Sequence, residues 1–164
     1  MTTPPGTGLI GALHSGGPDP ARAAELDLFG RFVGSWDLAW SARDTGGRLL
    51  TARGELHFGW VLGGRAIQDT LGFGGRPGTT VRLYDPARDA WRVVWFSPSL
   101  GDICVLEGRR DGDDVFQEGT QPDGAKIRWN FTDVRPDSFV WRGYLDREGT
   151  GEWLLEQEMR ATRN

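Results

Sequence analysis

The chain has 164 residues, 38% of them hydrophobic, with a net charge of −4 and a pI near 5.2. One domain is the natural expectation for that length, and it is long enough to bury a core or surround a small cavity. Arg109-Arg110 is the only adjacent basic pair, so no clustered basic face points to nucleic acid. The single cysteine, Cys104, excludes an internal disulfide, and no Cys/His spacing suits a metal. No run approaches the roughly 20 apolar residues of a membrane-spanning helix. The first residues lack the basic start and apolar block of a signal peptide, so a soluble, cytoplasmic, bacterial-type protein is expected.

Residues 1–18 are rich in Pro, Gly and Thr and predict a flexible arm; residues 19–164 are expected to form the single domain. Asp19-Pro20 opens a helix, with Asp19 as N-cap and Pro20 at the first helical position. Leu26, Phe29 and Val33 make its apolar stripe, Phe32 adjoins them, and Gly34 supplies the stop. The period then changes from helical to two. Trp36, Leu38 and Trp40 alternate with Ser35, Asp37 and Ala39 over 35–42, and Asp44-Thr45-Gly46-Gly47 turns the chain.

Further strands are expected at about 50–60, 65–73, 79–84, 91–97, 102–109, 115–120, 126–134, 138–145 and 152–160. Each is followed by a Gly, Pro or Asp turn. Short turns joining about ten strands imply an antiparallel meander. An open sheet would expose two edges, so an all-β, closed up-and-down barrel is predicted, with the N-terminal helix capping one end. A two-sheet sandwich is the alternative.

Eight tryptophans stand out in a chain of this size. Most lie on strand-like runs, as an aromatic wall around a flat apolar ligand would require, although any well-filled β core would also contain them. Polar residues on apolar faces are the sharper signal, because buried polar groups need partners. Asp69 shares a face with Ile67 and Leu71. Glu107 follows Ile103 and Val105, Gln117 follows Val115, and Gln157 sits between Leu155 and Met159 on the Trp153 face.

With the apolar faces inward, Gln117 and Gln157 join Trp40, Trp91, Trp95, Trp129 and Trp141 as expected ligand-binding residues. Asp69 and Glu107 become candidate acid–base groups if the protein is an enzyme. Arg82, Arg92, Arg128, Asn130, Arg142, Glu156 and Glu158 fall on the opposite faces. Cross-strand charge pairs outside the barrel are expected for Arg128 and Arg142. His57 alternates with Glu55 and is expected to face solvent. Cys104 reads as an inert packed thiol. Gly72-Phe73-Gly74-Gly75 precedes no helix and is a hairpin tip rather than a phosphate loop.

The order of a helix, Gly34-Ser35-Trp36 and a β meander ending in an Arg-bearing strand resembles the calycin group, which contains the lipocalins, fatty-acid-binding proteins and nitrobindin-like proteins. In such barrels a G-x-W on the first strand closes the base and a late Arg packs over the Trp. Arg160 or Arg163 would fill that role here. The closer resemblance is to bacterial lipocalin-like families of unassigned function. It rests on Gly59-Trp60-Val61-Leu62-Gly63-Gly64-Arg65, on Leu83-Tyr84-Asp85-Pro86 with Trp91 and Trp95 after it, and on Met159-Arg160, and it spans about Phe29 to Arg163.

Nitrobindin-like proteins hold haem through a late histidine. No histidine follows His57, so that ligand is missing and no cofactor is expected. The fatty-acid-binding relatives hold a carboxylate with an interior Arg, which keeps Arg128 and Arg142 in reserve. Some calycin-like barrels act as cyclases.

The favoured expectation is binding of a small hydrophobic or aromatic molecule in a Trp-lined cavity. A cyclase or isomerase acting on a polyene or polyketide-like substrate in the same cavity is one alternative. A filled barrel serving as a protein-interaction module is another. The assembly state is open, a homodimer included, and so is the face that each strand turns inward.

Overall fold

The computed structural model describes residues 8–164. Leu9–Leu13 forms a short helix α1, and His14–Ser15 a two-residue strand β1. A 3₁₀ turn at Pro20–Arg22 leads into helix α2, Ala23–Gly30. Ten long strands follow: β2 Gly34–Arg43, β3 Leu49–Val61, β4 Ala66–Phe73, β5 Arg76–Asp85 and β6 Ala90–Ser97, then β7 Asp102–Asp111, β8 Asp114–Thr120, β9 Lys126–Arg135, β10 Ser138–Asp146 and β11 Leu154–Arg163.

Each long strand pairs antiparallel with its neighbours in the chain, β11 returns to β2, and the ring is continuous through β3 and β4. The all-β, closed up-and-down barrel expected from the turn spacing is therefore the observed fold. Closure leaves no unpaired edge among the ten strands, and β1 is appended outside the ring, pairing His14 with Val61 and Ser15 with Trp60. Residues 1–7 of the expected arm lie outside the described residues. Among the described residues no helix is long and apolar enough to cross a membrane.

The 3₁₀ turn is capped as the sequence dictates, Asp19 Oδ1 accepting the Ala21 N–H at 3.0 Å with Pro20 beside it, and α2 follows from Ala23 without a side-chain cap of its own. It ends at Gly30, four residues before the expected stop at Gly34. Beyond Gly30 the backbone tightens into single i→i−3 turns, Phe32 N–H donating to the Phe29 carbonyl and Val33 N–H to the Gly30 carbonyl. The Trp60 ring lies against Gly30, where a Cβ would stand only 2.6 Å from it, so chain and strand touch there without a side chain between them. Gly34 instead starts β2 at φ +131°, a conformation that favours glycine.

Leu26, Leu28, Phe29 and Phe32 are buried under the barrel. Phe29 and Phe32 mesh with Phe131 at centroid separations of 6.0 and 4.7 Å, and Phe32 also meets Phe58 and Phe139. Such ring pairs add about 1 kcal/mol each beyond the area they bury. They fill one end of the barrel solidly.

Gly34-Ser35-Trp36 closes this base. The Trp36 ring is fully buried, and its Nε1 donates to the Phe32 carbonyl at 2.8 Å. Of the two late arginines, Arg163 covers it, with Cζ 4.1 Å from the ring centroid, while Arg160 pairs outside with Glu158.

Because the strands alternate in direction, the 62–65, 86–89, 112–113 and 136–137 turns gather at the helix end. The 44–48, 74–75, 98–101, 121–125 and 147–153 turns ring the opposite end.

Candidate functional site: the barrel cavity

The end away from the helix is open and leads into a cavity of about 490 Å³. Its walls come from alternate residues of many strands: Leu38 and Trp40 of β2, Leu71 and Phe73 of β4, Val93 and Trp95 of β6, Trp129 and Phe131 of β9, Trp141 of β10 and Met159 of β11. Three tryptophans run around one side. Trp95 meets Trp129 edge-on at 6.4 Å, and Trp129 meets Trp141 at 5.8 Å. Trp40 faces Phe73 at 6.4 Å, and its Nε1 donates to Gln157 Oε1 at 2.9 Å. That bond fixes the indole and satisfies a polar atom that partial burial would otherwise leave without a partner.

The floor is polar. Asp69, Arg82 and Gln117 are only 3%, 4% and 1% exposed, and all three line the cavity. Arg82 pairs with Asp69 Oδ2 at 2.5 Å, while Asp69 Oδ1 accepts the Thr80 N–H at 3.2 Å. The Arg82 guanidinium lies 5.1 Å from the centroids of both Phe29 and Phe58, so the helix and β3 present π faces to its charge. Gln117 Nε2 donates to the Trp129 carbonyl. Among the described residues, Arg82 Nε and Gln117 Oε1 are buried without a hydrogen-bond partner.

Trp40, Trp95, Trp129, Trp141, Gln117, Gln157 and Asp69 thus come together around one space. Two other candidates do not. Trp91 is buried beneath the cavity rather than in its wall, edge-on to Phe29 at 5.0 Å and against Tyr84 at 5.8 Å. Glu107 is on the outside, where it accepts from Arg109 at 2.8 Å and from Arg88 at 3.1 Å. Those two bonds hold its carboxyl below the usual range.

The expectation for Glu107 rested on Ile103 and Val105 facing inward. They are 55% and 43% exposed, and Cys104 and Leu106 point in instead. Both faces of β7 are apolar, so alternation there carries no directional signal.

Arg82 is the mirror-image case. Thr80 and Arg82 face inward on β5, while Leu83 is exposed, so the assignment of Arg82 to the outer face is reversed. A signal for it existed: a buried Asp69 needs a cationic or multiply donating partner, and Thr80 and Arg82 are the polar residues on the facing strand.

Arg128 and Arg142 lie outside as expected, paired with Glu118 at 2.7 Å and Glu158 at 3.0 Å, which removes them as interior anion holders. Trp153, expected on the inner face with Gln157, stacks on the exterior Arg128 at 3.9 Å. A register shift at Gly143/Tyr144 separates it from the inward-facing residues of β11. Cys104 does line the cavity. Its burial, then the nearby Asp102 and Asp123 carboxylates, push the thiol up to about 11.

No family model and no curated protein matches the chain. Among solved structures it is similar to the S-type phycobiliprotein lyase CPES from Guillardia theta, with a TM-score of 0.60 at 13% identity over 84% of this chain and 91% of that one. It is similar also to Rv2717c from M. tuberculosis, with a TM-score of 0.59 at 16% identity over 87% of this chain and 98% of that one. Likeness at this identity speaks for the fold alone, and the fold is the calycin-like barrel that the Gly34-Ser35-Trp36 resemblance implied.

Proposed function

We propose that this barrel binds a small, mostly apolar aromatic molecule in its open-ended cavity, with Trp40, Trp95, Trp129 and Trp141 as the binding wall. The observation that carries the reading is the cavity itself: about 490 Å³, rimmed by indoles and open at the end opposite the helix. Ligand pockets of roughly 300–1,000 Å³ with apolar walls and few polar groups are the common design for small-molecule recognition. Flat rings matched by indole edges and faces gain about 1 kcal/mol per pair beyond area burial.

Catalysis by a polyene or polyketide cyclase has less support. Glu107 is outside the cavity, and both oxygens of Asp69 are engaged, by Arg82 and the Thr80 N–H. A fully packed interaction module is disfavoured by the open space within the walls. The likeness to a phycobiliprotein lyase supplies a barrel shape and, at 13% identity, no substrate.

The test is titration of intrinsic tryptophan fluorescence with aromatic, polyene and fatty-acid probes. Saturable quenching by the aromatic class is the expected result. No response to any class would sink the reading.

A further inference from the structure

The outer wall of the barrel carries charges on β3, β10 and β11, where Arg53, Glu55, Arg142 and Glu158 point outward. Over two rows of β5, β6 and β7 it carries none. Thr79, Phe96 and Ile103 form one cross-strand row, and Val81, Val94 and Val105 form the next. Thr80, Trp95 and Cys104 between them line the cavity, so these six face outward. Phe96, Ile103 and Val105 are 38%, 55% and 43% exposed, and Leu100, on the turn joining β6 to β7, is 71% exposed. The rows continue through Thr70 and Gln68 on β4 and Thr120 on β8, which are also uncharged. Only the following row, with Arg92 opposite Glu107 and Glu107 opposite Glu118, brings charge back, and it brings both signs.

We infer that this face is an interface between two copies of the chain, packed sheet against sheet across a two-fold axis. The ten long strands close into a ring without a free edge, so the barrel wall associates through a face and not by adding a strand. Each copy has a net charge of −4, and contact through an uncharged face keeps two such surfaces from meeting charge to charge. The face has no charge of its own with which to select a charged partner. A two-fold contact needs a patch that complements itself, and flat apolar rows bordered by both signs of charge meet that need. Five strands at about 4.8 Å and two to three rows at about 7 Å span roughly 24 by 17 Å. That is the small end of specific interfaces, below ~1,200 Å² in total, and it sets the expectation of a weak dimer. These side chains point away from the cavity, so the inference stands or falls separately from the ligand reading.

Sedimentation velocity of the full chain between about 1 and about 500 µM tests it, with a monomer–dimer equilibrium and a Kd of roughly 10–100 µM expected. Ile103→Lys should weaken the dimer at least ~10-fold, because its ammonium group would be buried against an apolar face, and Val105→Lys should do the same. Thr51→Lys makes the same change of net charge at an exposed position on β3, outside both rows, and should leave the Kd within about two-fold. Methyl NMR of the unaltered chain over the same concentrations should move the Ile103 and Val105 signals, and this readout needs no variant to fold.

A monomer at every concentration overturns the inference. A dimer that survives both Ile103→Lys and Val105→Lys does so too, as does one that Thr51→Lys weakens equally or one that forms without moving those methyl signals. Growth beyond the dimer overturns the two-fold arrangement.

Discussion

The Arg163 guanidinium lies 4.1 Å over the buried Trp36 ring and at the same time donates to three backbone carbonyls: Val33 and Pro136 at 2.9 Å and Arg31 at 3.0 Å. One side chain from the last strand thereby ties the chain segment after α2 to the first long strand and to the β9–β10 turn. Arg163→Ala is expected to cost about 2 kcal/mol, since the carbonyls lose their donor and the ring its cation. Trp36→Phe removes the bond to the Phe32 carbonyl and should cost a similar amount. Urea denaturation of Arg163→Ala, of Trp36→Leu, which removes the ring itself, and of that double variant should show a coupling of about 1 kcal/mol, and additive losses would exclude the contact as a stabilising one.

Asp69→Asn should destabilise the barrel by about 3 kcal/mol or more, because it leaves the Arg82 charge buried without its counterion. The Asp69→Leu, Arg82→Met double variant removes both charges and should recover much of that loss. Thermal melts of the two proteins make the comparison. A double variant less stable than Asp69→Asn would mean that the ion pair itself stabilises the floor.

With the Cys104 thiol pushed up to about 11, roughly one molecule in a thousand carries a thiolate at pH 8. Alkylation by iodoacetamide at that pH is expected to run about 100-fold slower in the native protein than in urea. Similar rates in the two states would contradict both the burial and the shift.

Asp146 accepts the backbone N–H groups of Gly149, Thr150 and Gly151 at 2.8, 3.1 and 2.9 Å, and these bonds hold its carboxyl below the ordinary range. The folded value is lowered, so the stabilisation is present above about pH 4 and is lost as pH falls through the folded value. At neutral pH Asp146→Asn should therefore be less stable than the natural chain, with the gap closing towards pH 2. Urea midpoints at pH 7 and pH 2.5 measure it, and a gap independent of pH would show that the charge does not organise the 147–153 turn.

Where the outer face of a strand is polar, the sequence shows which way the strand faces. On β2, Trp36 and Leu38 against Ser35 and Asp37 leave one arrangement, and the fold has it. On β7 and β5 that information is absent. Ile103 and Val105 are as apolar as the Cys104 and Leu106 that they flank, and β5 turns Arg82 inward and Leu83 outward. The inversion on β5 has its cause on another strand, in the carboxylate of Asp69, and no periodicity within β5 could reveal it. The four cavity tryptophans were legible because each alternates with polar residues or is joined by other aromatics on its own face. Of the polar floor, Asp69 and Gln117 stand out in the sequence as polar residues on apolar faces, and only Arg82 needed the three-dimensional pairing of β5 with β4.

Because β2 pairs along its length with β11, with Trp36 opposite Arg163, the first wall of the barrel waits for the last. As the chain is synthesised, residues 34–43 emerge with one side of their backbone unpartnered and remain so until residues 154–163 have been made. The eight strands between can form their hairpins in turn, but the seam that makes a sheet into a vessel joins residues 127 positions apart in the chain. Contacts of such long range are slow to form. Enclosure of the cavity therefore depends on a pairing that no part of the chain short of residue 154 can supply.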